Sequence, residues 1–345
     1  MKQLIILLIS ILILTSCATT KTVENYNNIP EWLTNPESQY PDQTYITAIG
    51  QGFSRSDAEQ DAAGKLARIF RSDIQTSELT ELRYEELTRG SETTTEDYGK
   101  VTKNIQLSAE ESLVNIQFGE SYADNSGKVH AVAYLNRYQT AAIYEEMIGT
   151  NGKKVNYYYE QSNEKTDPLD KYAYAGAAYA IAVKNEDLLR QVKIISPSMS
   201  ALINTPYDVN IVQENYYSCA RNITFQVMTH NDEDQKISSI IKKLLTQKGF
   251  RVNEEAYLTV NGNITIEKTD LKRDDGTIFY RWELALELVN PQNENILTLN
   301  PKGRSGGISE TEAISRAYRD LEKNLNKKLI KELDRWFDDI VISEK

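Results

Sequence analysis

Cysteine and histidine are the scarcest chemically useful residues in this 345-residue chain, with two of each. One copy therefore cannot assemble a zinc site of several thiolate and imidazole ligands, and at most one disulfide is possible. There is no apolar run of the twenty or so residues that a helix needs to cross a bilayer, which excludes a polytopic membrane protein. Cationic excess is also missing. The formal charge is −11, and no basic, aromatic-interleaved strip is present, so nucleic acid is not an expected partner. What remains is an acidic, 40% apolar chain whose aromatic content is dominated by 21 Tyr, long enough for two ordinary domains.

The first seventeen residues carry the most specific signal. Lys2 precedes an apolar stretch from Leu4 to Leu14, and the tetrad Leu14-Thr15-Ser16-Cys17 closes it. Eleven residues make an export signal, not a span. The tetrad resembles a bacterial lipobox: a branched apolar residue, two small residues, and a Cys whose sulfur takes a diacylglycerol before type II signal peptidase cuts ahead of it. Residues 1–16 are thus read as a lipoprotein signal peptide, and 17–29, rich in Thr and Asn, as a tether. An N-acyl diacylglycerol on Cys17, with three acyl chains, gives effectively permanent anchoring at about 0.8 kcal/mol per buried CH₂. Ala18 is not the Asp that retains lipoproteins at the inner membrane where that sorting rule holds, so an outer-membrane location is expected; this residue does not encode the side faced, and the expected orientation is toward the periplasm. With Cys17 lipidated, Cys219 is left unpaired, and its expected role is a buried, inert thiol.

Downstream, the hydrophobic periodicity predicts α+β architecture: two small helix-on-antiparallel-sheet domains separated by a helical pair. The first domain (30–137) has a strand over Tyr45–Gly50 running into Gly52. A capped helix follows, with Ser54 and Asp57 as the capping box, and its helical pattern continues weakly to about Thr88. A hairpin is expected with Val114, Ile116 and Phe118 on one strand, Val129 to Leu135 on the other, and Asp124 to Gly127 as the turn. The helical pair occupies 138–195, its second member starting at Asp167-Pro168, and Tyr172, Gly176, Tyr179 and Val183 align along one side. The second domain (205–345) is read as strands at Tyr207–Val212, Ile223–Val227, Tyr257–Lys268 and Ile278–Val289. A helix over Asp234–Gly249 interrupts them, and a long C-terminal helix carries a stripe from Ala313 to Leu333 and Trp336.

One pattern occurs twice, 255 positions apart. Gly52-x-Ser54-x-x-Asp57-Ala58-x-x-x-Ala62-x-x-x-Leu66 corresponds to Gly307-x-Ser309-x-x-Glu312-Ala313-x-x-x-Ala317-x-x-x-Leu321. In each a Gly permits a turn off a strand, a capping box follows, and a small-small-large stripe lets the helix start lie close to a sheet.

Pro30 and Trp32 near the mature start, together with Gly50, Gly52, Ser54, Ala58 and Ala62, resemble the LPP-twenty lipoprotein family, whose domain pairs a P-x-W opening with a G-x-G-x-S-x-x-x-A helix. The 205–345 region is similar in outline to the α/β domains of outer-membrane assembly lipoproteins of the LpoB, CsgG and FlgT kind. The resemblance implies a noncatalytic envelope role, structural or in assembly, with other envelope proteins as partners and a homo-oligomer as one arrangement. Regulation of a cell-wall-synthesising enzyme is an alternative, and glycan or small-ligand binding through the Tyr-rich helices another.

Catalytic and metal-binding patterns are weak. Gly50-Gln51-Gly52-Phe53-Ser54-Arg55 lies between a strand and a helix, but Arg55 stands where a dinucleotide-binding loop has its third Gly. Neither His130 nor His230 sits in a nucleophile motif. Asp232-Glu233-Asp234 and Asp274-Asp275-Gly276 lack the alternating oxygen ligands of a calcium loop and read as solvated turns. No catalytic residue, metal or cofactor besides the lipid is therefore expected.

Overall fold

The computed structural model describes residues 29–71, 77–89 and 113–344. The lipobox residues Leu14, Thr15, Ser16 and Cys17, and the tether as far as residue 28, lie outside them. The architecture is mixed α+β, as the periodicity predicts, with one three-stranded and one six-stranded sheet. Two compact units are present. Of the described residues, the first comprises those up to Lys65 together with Gln117–Tyr134, and the second comprises the remainder, from Leu66 to Ile116 and from Leu135 on.

In the first unit, α1 (Glu31–Thr34) is a single turn that places Trp32. Strand β1 (Tyr45–Gly52) runs into helix α2 (Arg55–Arg71), and β2 (Gln117–Ala123) and β3 (Val129–Asn136) form the hairpin in a sheet of order β1-β3-β2. Trp32, Tyr40 and Val132 form the buried centre, with Tyr45, Ile49 and Tyr134 packed around it. The Tyr40 and Tyr45 rings meet edge-on at 5.6 Å and 85°, as do those of Tyr45 and Tyr134 at 5.6 Å and 87°, an arrangement that suits the aromatic quadrupole. Gly119 is required here, because a Cβ at that position would lie 2.2 Å from the Tyr40 hydroxyl.

The hairpin is shorter at its start than the alternation implies. Val114 and Ile116 precede β2, and Asn115 between them adopts φ 66°, a left-handed conformation that ends any extended run. The helical pattern is likewise not continuous to Thr88, because Ser77 is extended. A fresh helix, α3 (Glu78–Thr88), starts after Ser77, whose side chain accepts from Thr80 N–H, and it belongs to the second unit.

In the second unit, α4 (Arg137–Glu164) and α5 (Pro168–Ile195) form the expected pair. Asp167 caps α5 by accepting from Leu169 N–H at 2.7 Å, and Pro168 fills the first position. A single turn, α6 (Pro197–Ser200), follows. The expected strand over Tyr207–Val212 is instead the start of helix α7 (Val209–Arg221). Asp208 caps it, and Val212, Tyr216, Cys219 and Ala220 are buried at helical spacing; the β-branched residues of the first turn had masked that longer period.

The six-stranded sheet has order β5-β4-β6-β7-β8, with β9 also on β7. Its strands are β4 (Thr224–His230), β5 (Arg251–Val252), β6 (Leu258–Lys272), β7 (Ile278–Val289), β8 (Asn295–Leu299) and β9 (Lys302–Gly307). The sheet is not wholly antiparallel, because β4 runs parallel to both β5 and β6, joined to β5 through α8 (Lys236–Gln247). Along β7, Tyr280, Trp282, Leu284, Leu286 and Leu288 face inward and alternate with exposed residues, so one sheet face is packed and the other solvated. The long C-terminal helix α9 (Glu310–Ser343) packs on this unit. Its buried stripe continues from Leu333 to Phe337, four residues on, and Trp336 is only half-buried, a correction to the predicted stripe.

Candidate functional site

The family-motif residues build a strand-to-helix corner in the first unit. A Cβ on Gly50 would lie 2.2 Å from Ala58 O and Ala62 N, so the glycine exists to let α2 touch β1, and the space a phosphate would need above such a loop is filled by helix backbone. Asp57 N–H donates to Ser54 Oγ at 3.1 Å and Ser54 N–H donates to Asp57 Oδ2 at 3.1 Å, a reciprocal capping box. Ala58 and Ala62 are fully buried. Trp32 is buried too, and its indole N–H has no partner among the described residues. Pro30 immediately precedes its helical turn.

The other marked groups have structural duties. His130 Nε2 lies 3.0 Å from Asp124 Oδ2, and Asp124 also accepts from Ser126 Oγ and from Ser126 and Lys128 N–H to tie the hairpin turn. These bonds, Ser126 first, hold the Asp124 carboxyl well below the usual carboxylate range. His230 is exposed at the end of β4. Asp232 accepts from Ile237 and Ser238 N–H and so caps α8, and Asp275 closes its turn through Thr277, with Gly276 at φ 75°. No cluster of three or more metal-ligating side chains occurs among the described residues. Cys219 is buried, and burial pushes its thiol up, which suits an inert role.

The tyrosine stripe leads to a different place. Within the second unit, a cavity of about 200 Å³ is bounded by α3, α5, α7 and the ends of α8 and α9, with Tyr179, Tyr216 and Tyr217 on its wall. Tyr172 is buried behind it and its hydroxyl lies 2.8 Å from that of Tyr216. The rings form a ladder: Tyr172 on Tyr216 at 5.2 Å and 29°, then Tyr216 on Tyr179 at 5.1 Å and 20°. Burial pushes the Tyr172 and Tyr179 phenols up, keeping both as neutral hydroxyls.

Beside the ladder stand two ion pairs, with Arg83 close to Tyr216 across Gly176. Arg83 Nε and Nη2 each donate to Asp338 at 2.8 Å, a bidentate pair in which Asp338 is 0% exposed. Lys248 Nζ donates to both oxygens of Asp334 at 2.8 and 2.7 Å, and Asp334 in turn lies 3.8 Å from Arg83 Nη1. Gly176 makes room, since a Cβ there would sit 3.2 Å from Arg83 Nη2. Burial is the largest influence on both members of the inner pair. For Arg83 the neighbouring carboxylates outweigh it and the guanidinium holds its proton more firmly than usual; for Asp338 burial wins and the carboxyl is pushed up.

Sequence reasoning marked Tyr172, Gly176, Tyr179 and Val183 but not Arg83, Tyr216, Tyr217, Lys248, Asp334 or Asp338. One signal for the last two was present: Asp334 and Asp338 are four apart, each one residue beyond a buried position of the α9 stripe, so they flank the apolar face.

No family model matches this chain and no curated protein matches it. Among solved structures, a secreted protein of Helicobacter pylori is similar at a TM-score of 0.38 and 12% identity, over 85% of this chain and 98% of that one. A minor lipoprotein of Acinetobacter baumannii is similar at 0.27 and 12% identity, over 32% of this chain and 92% of that one. At these scores and identities, no family, function or partner passes from them to this chain.

Proposed function

We propose that this chain is a lipid-anchored, noncatalytic protein of a bacterial outer membrane, related to the LPP-twenty lipoproteins, whose two folded units engage other envelope proteins. The observation that carries this reading is the tetrad Leu14-Thr15-Ser16-Cys17 at the end of a short apolar stretch. No helix among the described residues is long and apolar enough to cross a membrane. The proposed attachment is through acyl chains at Cys17. An acidic body is repelled by anionic lipid surfaces, which leaves the folded units to meet protein partners. The residues that carry the family resemblance support the reading as fold determinants: Trp32 centres a core, and Gly50, Gly52, Ser54, Ala58 and Ala62 make a corner.

The reading is tested by fractionating cells that express the native chain or Cys17→Ser, after crosslinking in the intact envelope. The native chain is expected in the outer-membrane fraction, crosslinked to other envelope proteins or to its own copies, with Cys17→Ser released from it. Retention of Cys17→Ser, or absence of any crosslinked protein at high abundance of the native chain, contradicts it.

A further inference from the structure

We propose that the cavity in the second unit binds a neutral, polyhydroxylated ligand, a single saccharide residue, against the outer end of the tyrosine ladder. The inference is independent of the lipid anchor. Size sets the first limit: about 200 Å³ accommodates one sugar ring and lies below the roughly 300–1,000 Å³ of sites that bury larger ligands.

Charge sets the second. Each cation bordering the cavity is already matched: Arg83 to Asp338 through two bonds of 2.8 Å, and Lys248 to Asp334 through bonds of 2.8 and 2.7 Å. An anionic ligand would have to compete with a buried carboxylate for either cation, and a cationic ligand would meet Arg83 and Lys248. Breaking such a pair leaves an uncompensated charge in a low-dielectric site, so ions of both signs are disfavoured. The matched charges still offer hydrogen bonds. Asp334, Lys248, Gln247 and Ser77 all line the cavity; a carboxylate has more acceptor sites, and an ammonium more donors, than one ion pair uses, and an amide or hydroxyl can both donate and accept. Sugar hydroxyls, which also do both, suit that mixture better than a ligand that only donates or only accepts.

The aromatic wall sets the third. Tyr216 has both faces covered, by Tyr172 and by Tyr179. The cavity is edged by Tyr179, which is half-buried, and by Tyr217, which is 36% exposed. A sugar ring presents an apolar C–H face and an equatorial rim of hydroxyls, matching a lining in which aromatic edges and polar groups adjoin. The ladder is rigid because Tyr216 is clamped between its neighbours and bonded to Tyr172 at 2.8 Å, so little side-chain freedom is lost on binding.

The test is saturation-transfer NMR on the full mature chain in a detergent without a sugar headgroup. N-acetylglucosamine, glucose and galactose are offered separately, with acetate, inorganic phosphate and ethylammonium as ionic probes. At least one sugar is expected to receive saturation at its ring protons, and no ionic probe should. Tyr179→Ala should weaken the sugar at least tenfold, about 1.4 kcal/mol. Tyr179→Phe, which keeps the ring, should weaken it less than about threefold, near 0.65 kcal/mol. Tyr138→Ala, on an exposed part of α4, should change nothing. Circular dichroism checks the fold of each variant, and Gln247→Ala replaces Tyr179→Ala if the latter unfolds, with a loss of sugar binding again expected. Absence of a signal from all three sugars at up to about 10 mM, a weak-affinity limit, overturns the proposal. So does displacement by an ionic probe, or sugar binding that both folded variants leave intact.

Discussion

The corner at Gly52 and the corner at Gly307 begin alike and end differently. Each closes a strand, β1 or β9, with a glycine whose Cβ would collide with the helix that follows: 2.4 Å from Asp57 Cβ at Gly52, and 2.6 Å from Ala313 N at Gly307. Each exposes a large apolar residue at the tip, Phe53 at 89% and Ile308 at 82%. Each helix is capped by a serine, and Glu312 Oε2 accepts from Ile308 N–H at 2.9 Å as Asp57 accepts from Ser54 N–H. A side chain then reaches back to the strand from the same turn, but with opposite polarity. Asp61 accepts from Gln51 N–H at 2.9 Å, whereas Arg316, 255 positions on, donates to Gly306 O at 2.9 Å. The helix side chain thus matches the strand group it meets, an acceptor for the Gln51 N–H and a donor for the Gly306 carbonyl.

The helices themselves diverge. Helix α2, which starts in the first unit, has 17 described residues; α9 in the second has 34, and its distal half brings Asp334 and Asp338 to Arg83 and Lys248. A corner is a local device fixed by a glycine and a cap. What its helix reaches is fixed by residues far away in sequence.

The largest effect is expected where that distal half is held. Asp338→Ala should destabilise the second unit by about 3 kcal/mol, because Arg83 stays buried and loses its bidentate partner, keeping only the longer contact to Asp334 at 3.8 Å. The double variant Arg83→Met, Asp338→Leu should recover most of the loss. Chemical denaturation of the full chain measures both, and a loss under 1 kcal/mol or so would mean that α9 is not fixed by this pair.

Gly50→Ala should cost about 3 kcal/mol and Gly307→Ala about 2, since Gly50 faces backbone at 2.2 Å and Gly307 at 2.6 Å. Gly64→Ala, in α2 with open space around its Cβ position, should stabilise by about 0.5–1 kcal/mol. Hydrogen exchange resolved to β1 and β9 tells which corner loosens, and equal effects at all three glycines would break the comparison. Ser54→Ala and Ser309→Ala should each cost about 1 kcal/mol, and a difference much larger than that would show that the two caps are not equivalent.

The smallest effect concerns pH at the β2–β3 turn. The folded Asp124 carboxyl titrates below its unfolded value, so its contribution is present above the usual carboxylate pKa near 4 and is lost as pH falls through the depressed value. NMR of the Asp124 side chain should show it still ionised at about pH 3, below the usual carboxylate pKa. Titration of Asp124 near pH 4 would contradict this.

Both corners, the hairpin turn and the helical pair are legible in the sequence because each depends on neighbours within about five residues: Gly52 and Ser54, Asp124 and Gly127, Asp167 and Pro168. Strands β8 and β9 are not. Lys302–Gly307 contains three glycines and has no strand propensity; it pairs with β7 because Trp282 lies where a Cβ on Gly303 would be, at 2.2 Å, and donates its indole N–H to Ser305 Oγ at 3.1 Å. The start of α7 misreads as a strand because Val209, Ile211 and Val212 favour extended backbone locally, and only Tyr216 and Ala220 reveal the helical period. The cavity is the least legible feature. The tyrosine stripe on α5 marks one wall, but the charges beside it come from α3, the end of α8 and α9, and no local spacing relates Arg83 to Asp338.

The most direct test of the account is mass spectrometry of the chain purified from its native envelope. The account predicts a first residue at Cys17 with a thioether-linked diacylglycerol and an amide-linked acyl chain. A chain that retains Met1, or one that begins elsewhere with the Cys17 thiol unmodified or absent, would contradict it.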